Sequence, residues 1–319
     1  MKPLVFLEQR GTSITKGSLG VLGKCAQLAD GDVGAVLVGD GPLAGLAEEA
    51  GRCGATTVHV AEHSDLGPAL PAARVDVLSR LVCERGYDAV AFSTSVLASD
   101  VAAALASRLD AGLNWDLIDL AHRDGELVGR RMALDESVLV EVGWRSPVRL
   151  ALCRSGVFEP VASGGQANID AVPVEPGVQR VRVISEEARQ DEGRSIEDAD
   201  VVVAGGIGLG GAQQFAMAEE LAALLGGVVG ATRAVVYKGW YPRSAQVGQT
   251  GKTVAPKLYV ALGISGAVQH KVGMQNSKVI VAINKNPAAP IFEFSDLAVV
   301  GDVHVIVPQL IALLRARKA

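Results

Sequence analysis

The sequence predicts an α/β protein of two domains. An N-terminal, mainly parallel α/β domain with added antiparallel strands is expected over residues 1–190, and a C-terminal doubly wound α/β domain over residues 191–319. Three observations carry this. First, 49% of the residues are hydrophobic, drawn from Ala, Val and Leu far more than from aromatics, and 37 glycines are spread along the chain. Such a composition suits short buried strands and helices joined by tight turns. Second, short β-branched runs alternate with stretches of helical periodicity almost throughout. Third, SEEARQDEGRSIEDAD at 185–200 is densely charged with almost no apolar content, as in a linker or exposed helix, and marks the boundary. A length of 319 residues agrees, at roughly 150 residues per domain.

The elements follow in order. Residues 3–7 read as a strand, the stretch through Leu19, Leu22, Ala26 and Ala29 as a helix, GAVLVG at 34–39 as a strand and 42–53 as a helix. TTVHVA at 56–61 is the next strand, followed by a helix near 72–84, the strand DAVAFS at 88–93 and a helix over 100–109. From about 115 to 155 the runs shorten to DLIDLAH, ELVGRRMA, SVLVEVGW and VRLALC, the first two joined by the turn Arg-Asp-Gly-Glu. These are expected as antiparallel additions to the sheet. In the second domain, strands are expected at 201–204, 228–232, 257–262 and 278–283, with helices at 212–225 and 266–273. The end reads as one or two strands and a C-terminal helix opened by Pro308.

Charge and composition narrow the function. A net charge of -5 and a pI near 5.6, with no clustering of Lys and Arg, provide no field for a polyphosphate backbone, so nucleic acid is not an expected partner. No apolar run approaches ~18 residues, and MKPLVFLEQRG is too short for a signal core. A cytoplasmic protein without direct membrane insertion is expected. Cys25, Cys53, Cys83 and Cys153 form no C-x-x-C pair and are expected as reduced, largely buried thiols.

Two patterns mislead. His59 and His63, with Glu62 between them, match an inverted zinc-protease motif, but His59 lies in a β-branched run, and only a helix brings residues four apart to one face. The adjacent carboxylates Glu48-Glu49, Glu186-Glu187 and Glu219-Glu220 diverge by about 100 degrees on a helix and read as solvated faces.

The glycine turn is more informative. Gly206, Gly208 and Gly211 spell G-x-G-x-x-G between a strand and a helix, a place where backbone N–H groups can meet a pyrophosphate. A nicotinamide site also calls for an acidic residue about 20 positions on, to hold the ribose. The second strand ends instead in Thr232 and Arg233. A cation there suits a 2′-phosphate or the side of a flavin ring, so three readings stay open: an NAD(P)-dependent oxidoreductase, a flavin site, or a non-redox nucleotide-binding turn.

Further along, Gly263, Ser265 and Gly266 end a buried strand and open a helix, leaving N–H groups and a hydroxyl for an anion. Gln269 and His270 follow, too polar for a core yet flanked by apolar residues. Gln246, Gln249 and Thr250 lie in a loop between Gly248 and Gly251, where donors and acceptors can meet a heteroaromatic edge.

The whole stretch QVGQTGKTVAPKLYVALGISGAVQHKVGMQNSKVIVAINKNPAAPIF at 246–292 resembles the signature of the electron transfer flavoprotein alpha subunit, almost without a gap. Over the rest of the chain the resemblance is looser and lies in strand order more than in motifs. It implies a C-terminal domain that binds FAD and a carrier whose flavin does the chemistry, with no catalytic acid, base or nucleophile in the protein. The resemblance assigns Thr250 to the flavin N5 side, Arg233 to a cation near the ring and His270 to a donor near O2. Gln246 contacts the ring and Gln269 lines the site. Thr232 and Ser265 serve the pyrophosphate, and Asn284 and Asp302 hold the adenosine end. Gly206, Gly248, Gly263 and Gly266 complete the cofactor-binding set. Donors and positive charge on the pyrimidine side favour negative charge on the reduced ring.

The resemblance also implies partners: a beta subunit carrying AMP or a second FAD, flavin dehydrogenases of the acyl-CoA (fatty acid oxidation) or N-methyl amine type as donors, and a membrane quinone oxidoreductase as acceptor. Three places depart from the family pattern. Ile207 stands where Arg usually contacts the FAD phosphates, Tyr237-Lys238 replaces Asp-Ala, and Asp296-Leu297-Ala298 replaces Asp-Tyr-Gly.

Overall fold

The computed structural model describes residues 1–67, 70–134, 137–174, 181, 183–185 and 196–318. The chain divides into two compact units, Met1–Glu187 and Ala188–Ala319. The boundary expected between 190 and 191, like most of the charged segment around it, lies outside the described residues.

In the first unit the elements run β1 (Pro3–Leu7), the short pair β2 (Gln9–Arg10) and β3 (Ser13–Ile14), α1 (Lys16–Leu28), β4 (Gly34–Gly39), α2 (Ala44–Arg52), β5 (Thr57–Glu62), α3 (Pro71–Arg85), β6 (Ala89–Ser93) and α4 (Val96–Leu109). Then come β7 (Gly112–Arg123), β8 (Glu126–Ala133), β9 (Val138–Val142), β10 (Arg149–Cys153) and β11 (Asn168–Ala171). They form a nine-stranded sheet in the order β11-β5-β4-β1-β6-β10-β7-β8-β9. Helices cover both faces, so the central strands are apolar at every position rather than alternately. Leu4 and Phe6 of β1 face one core, with α3 and α4, while Val5 and Leu7 face the other, with α1 and α2.

Two expectations change here. The segment VRLALC is not an antiparallel addition, since β10 inserts between β6 and β7 and runs parallel to both. Its five residues are nearly all buried, as a central parallel strand requires. Within the nine-stranded sheet the described antiparallel pairs are β7/β8 and β8/β9, and β7 turns into β8 through Asp124 and Gly125, whose φ values of 53° and 84° make a two-residue hairpin. The last helix of this unit starts at Val96 rather than 100, because the Ser95 hydroxyl accepts the Ala98 N–H and caps it. His59 sits inside β5 with Nδ1 at 2.9 Å from Asp170 and Nε2 at 2.7 Å from the Tyr87 hydroxyl, a fully partnered buried imidazole. All four cysteines are free thiols, three of them buried and Cys83 exposed.

The second unit comprises β12 (Val201–Gly205), α5 (Phe215–Leu225), β13 (Val228–Thr232), α6 (Arg233–Tyr237), β14 (Gln246–Val247), β15 (Leu258–Leu262), α7 (Val268–Lys271), β16 (Ile280–Asn284), β17 (Leu297–Val300) and α8 (Val303–Lys318). Its six strands are all parallel, in the order β14-β13-β12-β15-β16-β17. Val202 and Ala204 point into one core and Val203 into the other, so this sheet too is covered on both faces.

Helix limits differ from the sequence expectations in three places. A separate 3-10 turn, Ala212–Gln214, precedes α5, because Gly211 keeps the chain extended there. One α-helical turn, α7, replaces the helix expected at 266–273, since Gly266 is left-handed at φ +90° and delays the start. The C-terminal helix is opened by Asp302, not Pro308. The Asp302 carboxylate accepts the His304 N–H at 2.9 Å and its carbonyl accepts that of Ile306 at 3.0 Å, while Pro308 lies inside the helix.

Candidate functional site

In the second sheet the strand order reverses between β12 and β15: the chain moves outward to β13 and β14, then returns to add β15, β16 and β17 on the other side. Ligands of open α/β sheets bind at the carboxyl ends of the strands beside such a reversal. A cavity of about 720 Å³ lies there, within the size range of cofactor sites.

Its floor is made of backbone. The Gly206 N–H donates to Leu262 O at 2.9 Å, the Gly208 N–H to Gly263 O at 3.0 Å, and the Gly263 N–H to Ile283 O at 2.9 Å, which ties together the ends of three strands. A Cβ on Gly206 would stand 2.3 Å from Gly263 O, and one on Gly208 would stand 2.7 Å from Gly263 Cα. The glycines are therefore required first by the close approach of two strand ends. Gly263 itself has φ +61° and its Cβ would meet Gly208 backbone at 2.8 Å.

One wall is the loop after β14. The Gln249 N–H donates to Gln269 O at 2.7 Å, and Gly248, at φ +138°, packs too closely on that carbonyl to carry a side chain. Buried Gln246 donates from Nε2 to Thr250 Oγ1 at 3.1 Å. With that lone pair engaged, the Thr250 hydroxyl proton is free to donate into the cavity. Thr232 stands at the N-cap of α6 without using its side chain as a cap, so its hydroxyl also remains available to a ligand. Arg233 begins α6 and is the only formal charge among the described residues of the wall; no carboxylate lines it.

His270 forms part of the wall and is 6% exposed. Its Nδ1 lies 3.2 Å from Val247 O, which only a ring N–H can satisfy, so Nε2 accepts from the Tyr259 hydroxyl at 2.9 Å. Burial pushes its pKa down to about 4, against a smaller opposing effect of the Val247 carbonyl, so the ring is neutral at pH 7. Both nitrogens are thus held by the chain, and donation from His270 to a ligand is not available in this arrangement.

Of the residues expected at a cofactor, Gly206, Thr232, Arg233, Gly248, Gln249, Thr250, Gly263, Ser265, Gln269, His270 and Asn284 meet in this one cavity. Three do not. Gln246 stands behind Thr250, Gly266 gives its space to the Ile291 backbone, and Asp302 caps α8 and reaches Lys285 at 3.9 Å. Asn284 donates to Ile264 O at 2.8 Å and accepts the Asn286 N–H at 2.9 Å, so it braces the rim as well as lining it. The wall also includes Ile207, Tyr237, Ala267, Asn286 and Pro290. The polar break straight after the buried run VIVAI was the signal for Asn286. Tyr237 had none, because no helix was expected to bring it one turn above Arg233.

These features agree with what the chain is similar to. A family model described as an electron transfer flavoprotein domain matches residues 3–176, and one described as an electron transfer flavoprotein FAD-binding domain matches residues 195–275. Among curated proteins, the electron transfer flavoprotein subunit alpha of Thermoanaerobacterium thermosaccharolyticum is 36% identical over 98% of this chain and 98% of its own. The subunits of the same description from Mycobacterium leprae and Mycobacterium tuberculosis are 37% and 38% identical over 99% of this chain and 98% of theirs. The chain belongs to the electron transfer flavoprotein alpha subunit family.

Proposed function

We propose that the chain binds FAD in the cavity at the β12/β15 reversal and, paired with a beta subunit, carries electrons from flavin dehydrogenases to an acceptor. The observation that carries this reading is a cavity at the carboxyl ends of the strands with free hydroxyls at Thr232 and Thr250 and, among its described residues, one cation and no carboxylate. That set fits a ligand with a pyrophosphate and a ring that gains negative charge, and it lacks the acidic group that would hold an NAD ribose. FAD supplies reversible one-electron and two-electron redox chemistry when bound. Everything else falls to the protein: Thr232 and Ser265 meet phosphate oxygens, Thr250 donates to the ring, Arg233 stabilises negative charge on its pyrimidine side, and Asn284 holds the adenosine end. Gln246 orients Thr250, and His270 closes the wall as a neutral ring.

Acyl-CoA or N-methyl amine dehydrogenases as donors, a membrane quinone oxidoreductase as acceptor, AMP or a second FAD in the beta subunit and a cytoplasmic setting complete the proposal. The membrane partner is reached in trans, since no described helix is long and apolar enough to cross a bilayer. The test is the visible spectrum of the chain purified with its beta subunit. The two absorption bands of oxidised flavin, bleached by a dehydrogenase with its substrate, are expected. A colourless complex that added FAD does not colour defeats the reading.

A further inference from the structure

Arg233 is the cation of the cavity wall, yet it is exposed and its side chain has four rotatable bonds. A charge free to sample many rotamers acts weakly on any one point of a ligand, and fixing it costs entropy on binding. The structure shows what holds it. The guanidinium carbon lies 4.8 Å from the centroid of the Tyr237 ring, and Nη2 donates to the Tyr237 hydroxyl at 3.2 Å. The two residues are four apart on α6, one above the other, and the turn starts directly at the end of β13. Tyr237 is 72% exposed, so no core demands an aromatic at this position. The next cation along the chain, Lys238, rests over Trp240 at 5.5 Å and is not part of the wall.

We propose that Tyr237 is a positioning residue: its ring and hydroxyl hold the Arg233 guanidinium in the cavity wall, and through it set the first one-electron potential and the affinity of the bound flavin. The inference rests on the flavin reading above. A cation over an exposed ring is stabilised enough to change a ligand's affinity about two- to fivefold. Replacing the ring releases the guanidinium to water, so the potential falls together with the affinity.

The experiment uses the complex with the beta subunit and the variants Tyr237→Leu, Tyr237→Phe, Arg233→Met and the Arg233→Met/Tyr237→Leu pair. The midpoint is read by potentiometric titration and FAD affinity by fluorescence. In the FAD-free complex, the Arg233 Nε–Hε NMR signal reports the ring contact through its ring-current shift. Tyr237→Leu is expected to lower the midpoint, weaken FAD about two- to fivefold and abolish the ring-current shift. Tyr237→Phe, which keeps the ring, retains the shift and most of the midpoint. In the Arg233→Met background, Tyr237→Leu changes nothing further. An unchanged or raised midpoint in Tyr237→Leu, a change that persists without Arg233, or no ring-current shift in the wild type overturns the proposal. A wild-type complex that takes up no FAD defeats the flavin reading itself, and is recognised before any variant is compared.

Discussion

Ile207 lines the cavity beside two glycines and is 40% exposed there, an apolar side chain in a glycine turn. The family resemblance places an arginine at this position. A charge-assisted contact to a phosphate contributes about 1.5 to 3 kcal/mol, so Ile207→Arg should tighten FAD binding about tenfold to a hundredfold and make it more sensitive to salt. Equal affinity and equal salt dependence in parent and variant would show that Ile207 displaces no phosphate contact. His270 makes a different prediction. With a folded pKa of about 4 against an ordinary 6.5, the unfolded chain binds the proton more readily. Stability from this group is therefore complete above pH 6.5 and lost as pH falls from 6.5 toward 4, by on the order of 3 kcal/mol. His270→Gln should flatten urea-melt stability across that window relative to the parent; parallel pH profiles would contradict it. The identity of both residues was plain in the sequence. The partners of His270 were not, because the Tyr259 hydroxyl and the Val247 carbonyl reach it from two strands distant in sequence.

Among elements, the turns after β12 and β15 separate two reasons for a glycine. Gly210 and Gly266 both have left-handed backbones, with φ of +86° and +90°. A Cβ on Gly210 would meet nothing within 4 Å, whereas one on Gly266 would stand 2.2 Å from the Ile291 backbone nitrogen. Gly210→Ala should therefore destabilise by the backbone penalty alone, about 1 to 2 kcal/mol, and Gly266→Ala by about 2 to 5 kcal/mol because backbone must also move. Chemical denaturation of the two variants checks the difference, and equal losses would refute it. The same contrast explains what could be read beforehand. Strands such as VVVAG and LYVAL were legible because a parallel strand covered on both faces is apolar throughout. Helix ends were less so: Pro308 signals an N-terminus only when no better cap lies upstream, and Asp302 is such a cap.

Across the whole molecule, alternation along the chain revealed two α/β units but not the neighbours of each strand. β10 follows three antiparallel candidates in sequence, yet its partners are β6 and β7, a long-range pairing that local pattern does not encode. The carboxyl-end cavity, by contrast, was foreshadowed by polar residues placed directly after buried runs, at Thr232, Ser265 and Asn284. Each unit has its own sheet with an apolar core on both faces, and the described residues that line the cavity belong to Ala188–Ala319. FAD at about 100 times its Kd should thus stabilise that unit by about 2.7 kcal/mol, which slows amides that exchange through its unfolding roughly 100-fold. Hydrogen exchange of the complex with and without FAD should show this slowing at Val202, Val203, Val260 and Ala261, and little change at Val5, Phe6, Val36 and Leu37 in the first sheet. Equal slowing in both sheets would mean that the flavin stabilises the chain as a single cooperative body, and the separation of cores would then not be a separation of folding units.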